Sequence, residues 1–232
     1  MDKLRIAILH LQIKQGNTSW YRKLLRLAIS IAAGYGVNLV VIGELIESGE
    51  EFWRNIYLNS IPGDNYPFLK ELEESALQYK MNIILGRAYR DSNNIYSIYT
   101  HINDDGQVQA IYPKQVAETT TEANVLAFGN QLVVTQIDCL DIGLVLGYND
   151  TVQTITNRYE EENIDSIIGG LAPLRHPCNR QNIVLSNVDV PILLSNYNMV
   201  INGNLYRGES LARSEENSLK LCPICSDRKS VV

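Results

Sequence analysis

Three charged residues stand where an α/β chain concentrates its chemistry, at or just beyond the carboxyl ends of strand-like segments. Glu44 comes directly after the apolar run Leu39-Val40-Val41-Ile42-Gly43, at the end of a strand expected over 38–42. Lys114 follows the strand-like stretch 108–112 in Pro113-Lys114-Gln115, and Glu122 is expected in the loop between that strand and the one over 142–146. A further strand over 142–146 ends at Gly147-Tyr148-Asn149. A carboxyl group desolvated at a strand end has a raised pKa and suits general-base work, and a nearby ammonium stabilises a developing oxyanion. A single Glu or Lys after a strand is ordinary loop charge. The whole set and its spacing carry the argument.

Other reactive side chains form no such set. The four cysteines, Cys139, Cys178, Cys222 and Cys225, are too few and too scattered for a disulfide framework. Cys222-Pro-Ile-Cys225 has no second pair or histidine to complete a four-ligand zinc site, so no metal is expected. Cys139 lies before the 142–146 strand rather than at its reactive end, and Cys178 precedes a later helix. His10, His101 and His176 show neither metal-ligand spacing nor a Ser-His-Asp arrangement, and read as structural or surface histidines.

The elements that must position these residues follow from hydrophobic periodicity. A strand over 4–12 is followed by a helix with Leu24, Leu25, Leu27, Ala28, Ile31 and Ala32 at helical spacing, stopped by Gly34 and Gly36. The apolar strand 38–42 completes a β-α-β opening. A second helix over 66–80 leads to three strands, 82–89, 95–102 and 108–112. The turns Asp91-Ser92-Asn93-Asn94 and Asp104-Asp105-Gly106 make them an antiparallel meander. Strands over 131–137 and 142–146 precede a helix capped at Asn149-Asp150, and a strand over 164–168 comes next. A helix over 179–187, a strand over 191–195 and a weaker one over 205–211 complete the reading. No repeat or linker interrupts residues 1–232, so one α/β domain with mixed sheets is expected.

Composition narrows the function classes. The chain has 232 residues, 45% hydrophobic and 20% charged, which is ordinary globular composition. A net charge of −6 disfavours a phosphate-reading surface, so no nucleic-acid partner is expected. No apolar run approaches the roughly 20 residues of a membrane span. Met1-Asp2-Lys3-Leu4-Arg5 shows no signal-peptide pattern, and a cytoplasmic location is the expectation.

Read in order, these segments resemble the nitrilase, or carbon–nitrogen hydrolase, superfamily. The resemblance runs from Arg5-Ile6-Ala7-Ile8 through Gly16-Asn17 to Val37-Asn38-Leu39-Val40-Val41-Ile42-Gly43-Glu44-Leu45. It continues in Asn93-Asn94-Ile95-Tyr96-Ser97, in Asp105-Gly106, and in Tyr112-Pro113-Lys114. The pair Glu122 and Gly129, and then Ile142-Gly143-Leu144-Val145-Leu146-Gly147-Tyr148-Asn149, extend it; in all it spans about Arg5 to Ser210. It implies an α-β-β-α sandwich with two mixed sheets and a Glu–Lys–Cys triad supported by a second glutamate. Glu44 carries over as general base, Lys114 as the lysine beside the oxyanion, Glu122 as the second glutamate, and the Tyr148 backbone as oxyanion donor. No cofactor is implied, and family members typically pair into dimers.

The nucleophile does not carry over. The family's cysteine falls on Gly147, and Gln115, Asn149 and Gln153-Thr154 also depart from the usual pattern. The preferred reading is therefore a pseudoenzyme that binds a small amide- or acyl-type ligand, or a partner protein, as a homodimer or a complex. The alternatives are an enzyme using Glu44 and Lys114 without a thiol, and an amidase whose cysteine was replaced to trap a complex.

Overall fold

A computed structural model describes residues 4–9, 12–14, 18–45, 66–147, 149–170, 192–195, 198–201, 204–206 and 211–213. It opens with strand β1 (Ile6–Leu9), the short β2 (Gln12–Lys14), helix α1 (Thr18–Gly34) and β3 (Leu39–Ile42). Helix α2 (Pro67–Tyr79) precedes the meander β4 (Asn82–Arg90), β5 (Ile95–Ile102) and β6 (Val108–Pro113). A one-and-a-half-turn helix, α3 (Thr120–Val125), leads to β7 (Val134–Ile137) and β8 (Leu140–Leu146). Then come α4 (Asn149–Glu160), β9 (Ser166–Gly170), β10 (Ile192–Ser195), β11 (Asn198–Ile201), β12 (Asn204–Tyr206) and β13 (Leu211–Arg213).

Two five-stranded mixed sheets form the centre. The first runs β1-β3-β4-β5-β6, parallel from β1 to β4 and antiparallel beyond. The second runs β13-β10-β9-β8-β7, with a parallel middle and an antiparallel strand at each edge. A small sheet, β12-β11-β2, joins the early chain to the late one.

Side-chain alternation along β3 explains the layering, because successive residues face opposite sides of a sheet. Val40 and Ile42 pack with Tyr21, Leu25, Ala28, Ile29 and Ala32 of α1 and with Phe68, Leu72 and Ala76 of α2. Leu39 and Val41 face the other way and join Ile84, Tyr99 and Tyr112 against Ile142, Leu144, Leu146 and Ile168 of the second sheet. On the far face of that sheet, a Cβ at Gly143 would lie 3.0 Å from the Tyr159 ring of α4. The Tyr159 hydroxyl accepts from Val133 N (2.9 Å) and donates to Leu144 O (2.8 Å), tying α4 to the sheet. The order is helix, sheet, sheet, helix, as expected.

Most element boundaries fall where periodicity put them. The first strand, read as one run over 4–12, is two, and the 131–137 strand begins only at Val134. The segment over 205–211 divides between β12 and β13. The helix read over 179–187 lies outside the described residues.

Candidate functional site

Backbone geometry delivers Glu44 before any side chain is considered. β3 ends at Ile42, and Gly43-Glu44 then crosses β4 at Gly86, where a Cβ would sit 2.4 Å from Gly43 O and 2.6 Å from Glu44 Cα. Only a residue without a side chain permits that crossing. Leu45 follows with φ 47°, a left-handed backbone that costs a leucine about 1–2 kcal/mol. Its buried side chain packs with Ala88 and Leu126, which holds the bend in place. Strain kept beside a buried carboxylate is the pattern of a functional site.

Lys114 arrives from the end of β6. Its N–H donates to Ser97 O (2.8 Å) and its carbonyl accepts from Gly129 N (2.9 Å), so its backbone is fixed on both sides. A Cβ at Gly129 would lie 2.5 Å from Pro113 Cγ, which explains the glycine there. The Lys114 side chain is fully buried. Its Nζ lies 3.1 Å from Glu44 Oε1, 3.3 Å from Glu122 Oε2 and 3.7 Å from Glu118 Oε2. Burial alone would lower its pKa, but the carboxylates Glu44, Glu118 and Glu122 outweigh that and hold it above the ordinary lysine range.

Glu122 sits in the first turn of α3, whose N-cap Thr119 accepts from Glu122 N (3.2 Å). Its Oε2 accepts in turn from Glu118 N (2.8 Å). Ser97, on β5, donates to Glu44 Oε1 (2.8 Å). Lys114 thus pairs with Glu44 from beyond β3 and with Glu122 from α3.

Gly147 closes β8, and contacts through β5 bring it toward the same end of the sandwich. Gly147 N donates to Gly170 O (3.1 Å), and a Cβ on Gly170 would lie 2.2 Å from the Tyr99 hydroxyl. Tyr99 and Ser97 share one face of β5. Tyr112 lies beneath: burial, then Tyr159 and Glu44, raise its pKa above the ordinary tyrosine range, while the Leu146 backbone lowers it. The φ of Gly147 is 153°, a conformation that side chains rarely adopt. Tyr148, expected as an oxyanion donor, lies outside the described residues.

Three participants escaped the sequence reading. Ser97 ends the block Asn93-Asn94-Ile95-Tyr96-Ser97 but was given no role there. Glu118 was visible only as an acidic residue four before Glu122. Gly86 was hidden inside an apolar strand. Cys139 occupies the tight β7–β8 turn and is exposed, at the opposite end of β8 from Gly147. His101 is buried between Thr135 Oγ1 (2.7 Å) and Asn82 Oδ1 (3.0 Å), a structural role as expected. Among the described residues no helix is long and apolar enough to cross a membrane.

The carbon-nitrogen hydrolase family model matches residues 5–183. Among solved structures, the NitN amidase of Nesterenkonia sp. AN1 is similar, with 13% identity and a TM-score of 0.77 over 91% of this chain and 85% of that one. A Cys-to-Ala variant of that amidase bound to butyramide matches with 14% identity and a TM-score of 0.74, over 91% and 83%. Another variant of it, with an acetamide moiety added covalently at its active-site cysteine, matches with 13% identity and a TM-score of 0.76, over 91% and 82%. No curated protein matches the sequence.

Proposed function

The chain belongs to the carbon-nitrogen hydrolase family, and we propose that it is a member without thiol catalysis that binds a small amide- or acyl-type ligand beside Glu44 and Lys114. One observation carries the reading: the buried Glu44–Lys114–Glu122 cluster is intact while position 147, aligned by resemblance with the nucleophile, is glycine. Covalent attack needs a nucleophile about 3–3.5 Å from the carbonyl carbon. Cys139, the thiol within the described residues, is separated from Gly147 by the seven residues of β8, about 20 Å of strand. Removing the nucleophile or base of a serine hydrolase costs on the order of 10⁶ in turnover. The cluster then serves recognition, with Lys114 fixing Glu44 as an acceptor for an amide N–H.

A second reading is favoured by Glu44 Oε2, which is buried without a hydrogen-bond partner among the described residues. There Glu44 would activate a water in the space left at Gly147. Amide and nitrile hydrolysis by the unmodified chain, by Glu44→Gln and by Gly147→Cys separates the two. Ligand binding without turnover, with hydrolysis appearing in Gly147→Cys once its fold is verified by circular dichroism, is the expected result. Turnover by the unmodified chain that resists thiol reagents and vanishes in Glu44→Gln would replace it with the second reading.

A further inference from the structure

Glu118 has no part in that proposal, yet it completes an unusual balance of charge. Among the described residues a single ammonium, Lys114, faces three carboxyl groups at 3.1, 3.3 and 3.7 Å, and the side chains of Lys114, Glu44 and Glu122 are 0%, 1% and 5% exposed. With every group ionised, the cluster holds two more negative charges than positive ones in a site shielded from water. Uncompensated buried charge is strongly unfavourable, so such a site keeps a proton or receives a cation. Two carboxyl oxygens, Glu44 Oε2 and Glu118 Oε1, are buried without hydrogen-bond partners among the described residues.

We propose that the cluster selects a small amide-type ligand carrying a positive charge, its ammonium N–H groups donating to Glu118 Oε1 and Glu44 Oε2. This rests on the amide-site reading above and names its ligand class. At 12% side-chain exposure Glu118 is the outermost of the four.

A linked proton follows. Glu118 is faced by Lys114 beyond β6, Glu44 beyond β3 and Glu122 on α3. Burial, with the charges of Glu44 and Glu122, pushes its pKa up to about 8 against the lowering effect of Lys114. The empty site therefore holds a proton on Glu118 at neutral pH, and an arriving cation displaces it.

Propionamide and 3-aminopropionamide differ by one ammonium group and form the probe pair. Calorimetric titration of the intact chain at pH 7, in two buffers of different ionisation enthalpy, reads affinity and proton release together. The expected result is at least about tenfold tighter binding of 3-aminopropionamide, with a proton released on binding. Glu118→Gln, similar in shape, should bring the ratio close to one and end the release. Equal or tighter binding of propionamide would overturn the charge selection and leave the amide site standing. A preference that persists in Glu118→Gln, or that comes without proton release, would overturn the role of Glu118. Binding of neither probe would remove the amide-site reading and this inference with it.

Discussion

Lys114 is fully buried among groups of opposite charge, so its contribution to stability is decided by what its loss would leave behind. Replacing a whole buried ion pair by apolar groups is often neutral, whereas removing one partner strands the others and costs about 3–5 kcal/mol. Lys114→Met deletes the only ammonium among the described residues that Glu44, Glu118 and Glu122 share. Its urea unfolding midpoint should fall by an amount in that range. Glu44→Gln removes a single charge from a surplus of them and can keep the hydrogen bond from Ser97, so its loss should be clearly smaller. Equal stabilities for Lys114→Met and the unmodified chain would show that protons, not the lysine, neutralise the cluster.

Among the elements, the β3–β4 crossing governs whether Glu44 reaches the cluster at all. Gly86→Ala places a methyl group 2.4 Å from Gly43 O, and the obstructing atoms are backbone, which cannot swing aside as a flexible side chain would. Overpacking of this kind costs about 1–3 kcal/mol. It should also displace Glu44 from Ser97 and Lys114, so stability and ligand affinity should fall together in thermal-melt and titration measurements. A variant that loses stability alone would show that Glu44 is positioned by other contacts. The same crossing shows how far the sequence could be read. Leu39 to Ile42 is an apolar tetrad that could only be a doubly buried strand, so Glu44 at its end was legible. Gly86 was not, because its reason lies in a neighbouring strand rather than in its own. Glu118 was missed for the same cause, since its burial depends on Lys114 and Glu122 meeting above it. The small sheet was also beyond reach: β2 pairs with β11, nearly the whole chain away, and neither short segment has a periodicity that announces it.

At the level of the whole molecule, His101 is a polar link between the two sheets. It stands on β5, bonds Asn82 of β4 in its own sheet, and bonds Thr135 of β7 in the other. The Asn82 amide also donates to Asn38 O (3.4 Å), which leaves its oxygen to accept from His101 Nε2. Nδ1 then accepts from the Thr135 hydroxyl, and the ring is neutral with both nitrogens satisfied. Burial lowers its pKa from 6.5 to about 4. Below pH 6.5 the unfolded chain therefore binds a proton that the folded one refuses, and stability is lost as pH falls toward 4, by about 3 kcal/mol in all. Glu118 acts in the opposite sense. Its folded pKa of about 8 lies above the ordinary glutamate value of 4.5, so its contribution is complete at low pH and is lost as pH rises from 4.5 through 8. The two slopes oppose each other between about 4.5 and 6.5, which gives a plateau there, with a decline on the acid side from His101 and on the alkaline side from Glu118. Urea unfolding across pH 4–9 should isolate each limb by difference. His101→Gln, compared with the unmodified chain, should abolish the acid-side change, and Glu118→Gln the alkaline one. A His101→Gln difference that stays constant from pH 7 to pH 4 would mean that the folded sandwich accepts the imidazolium, and the two sheets would not be joined through a neutral ring.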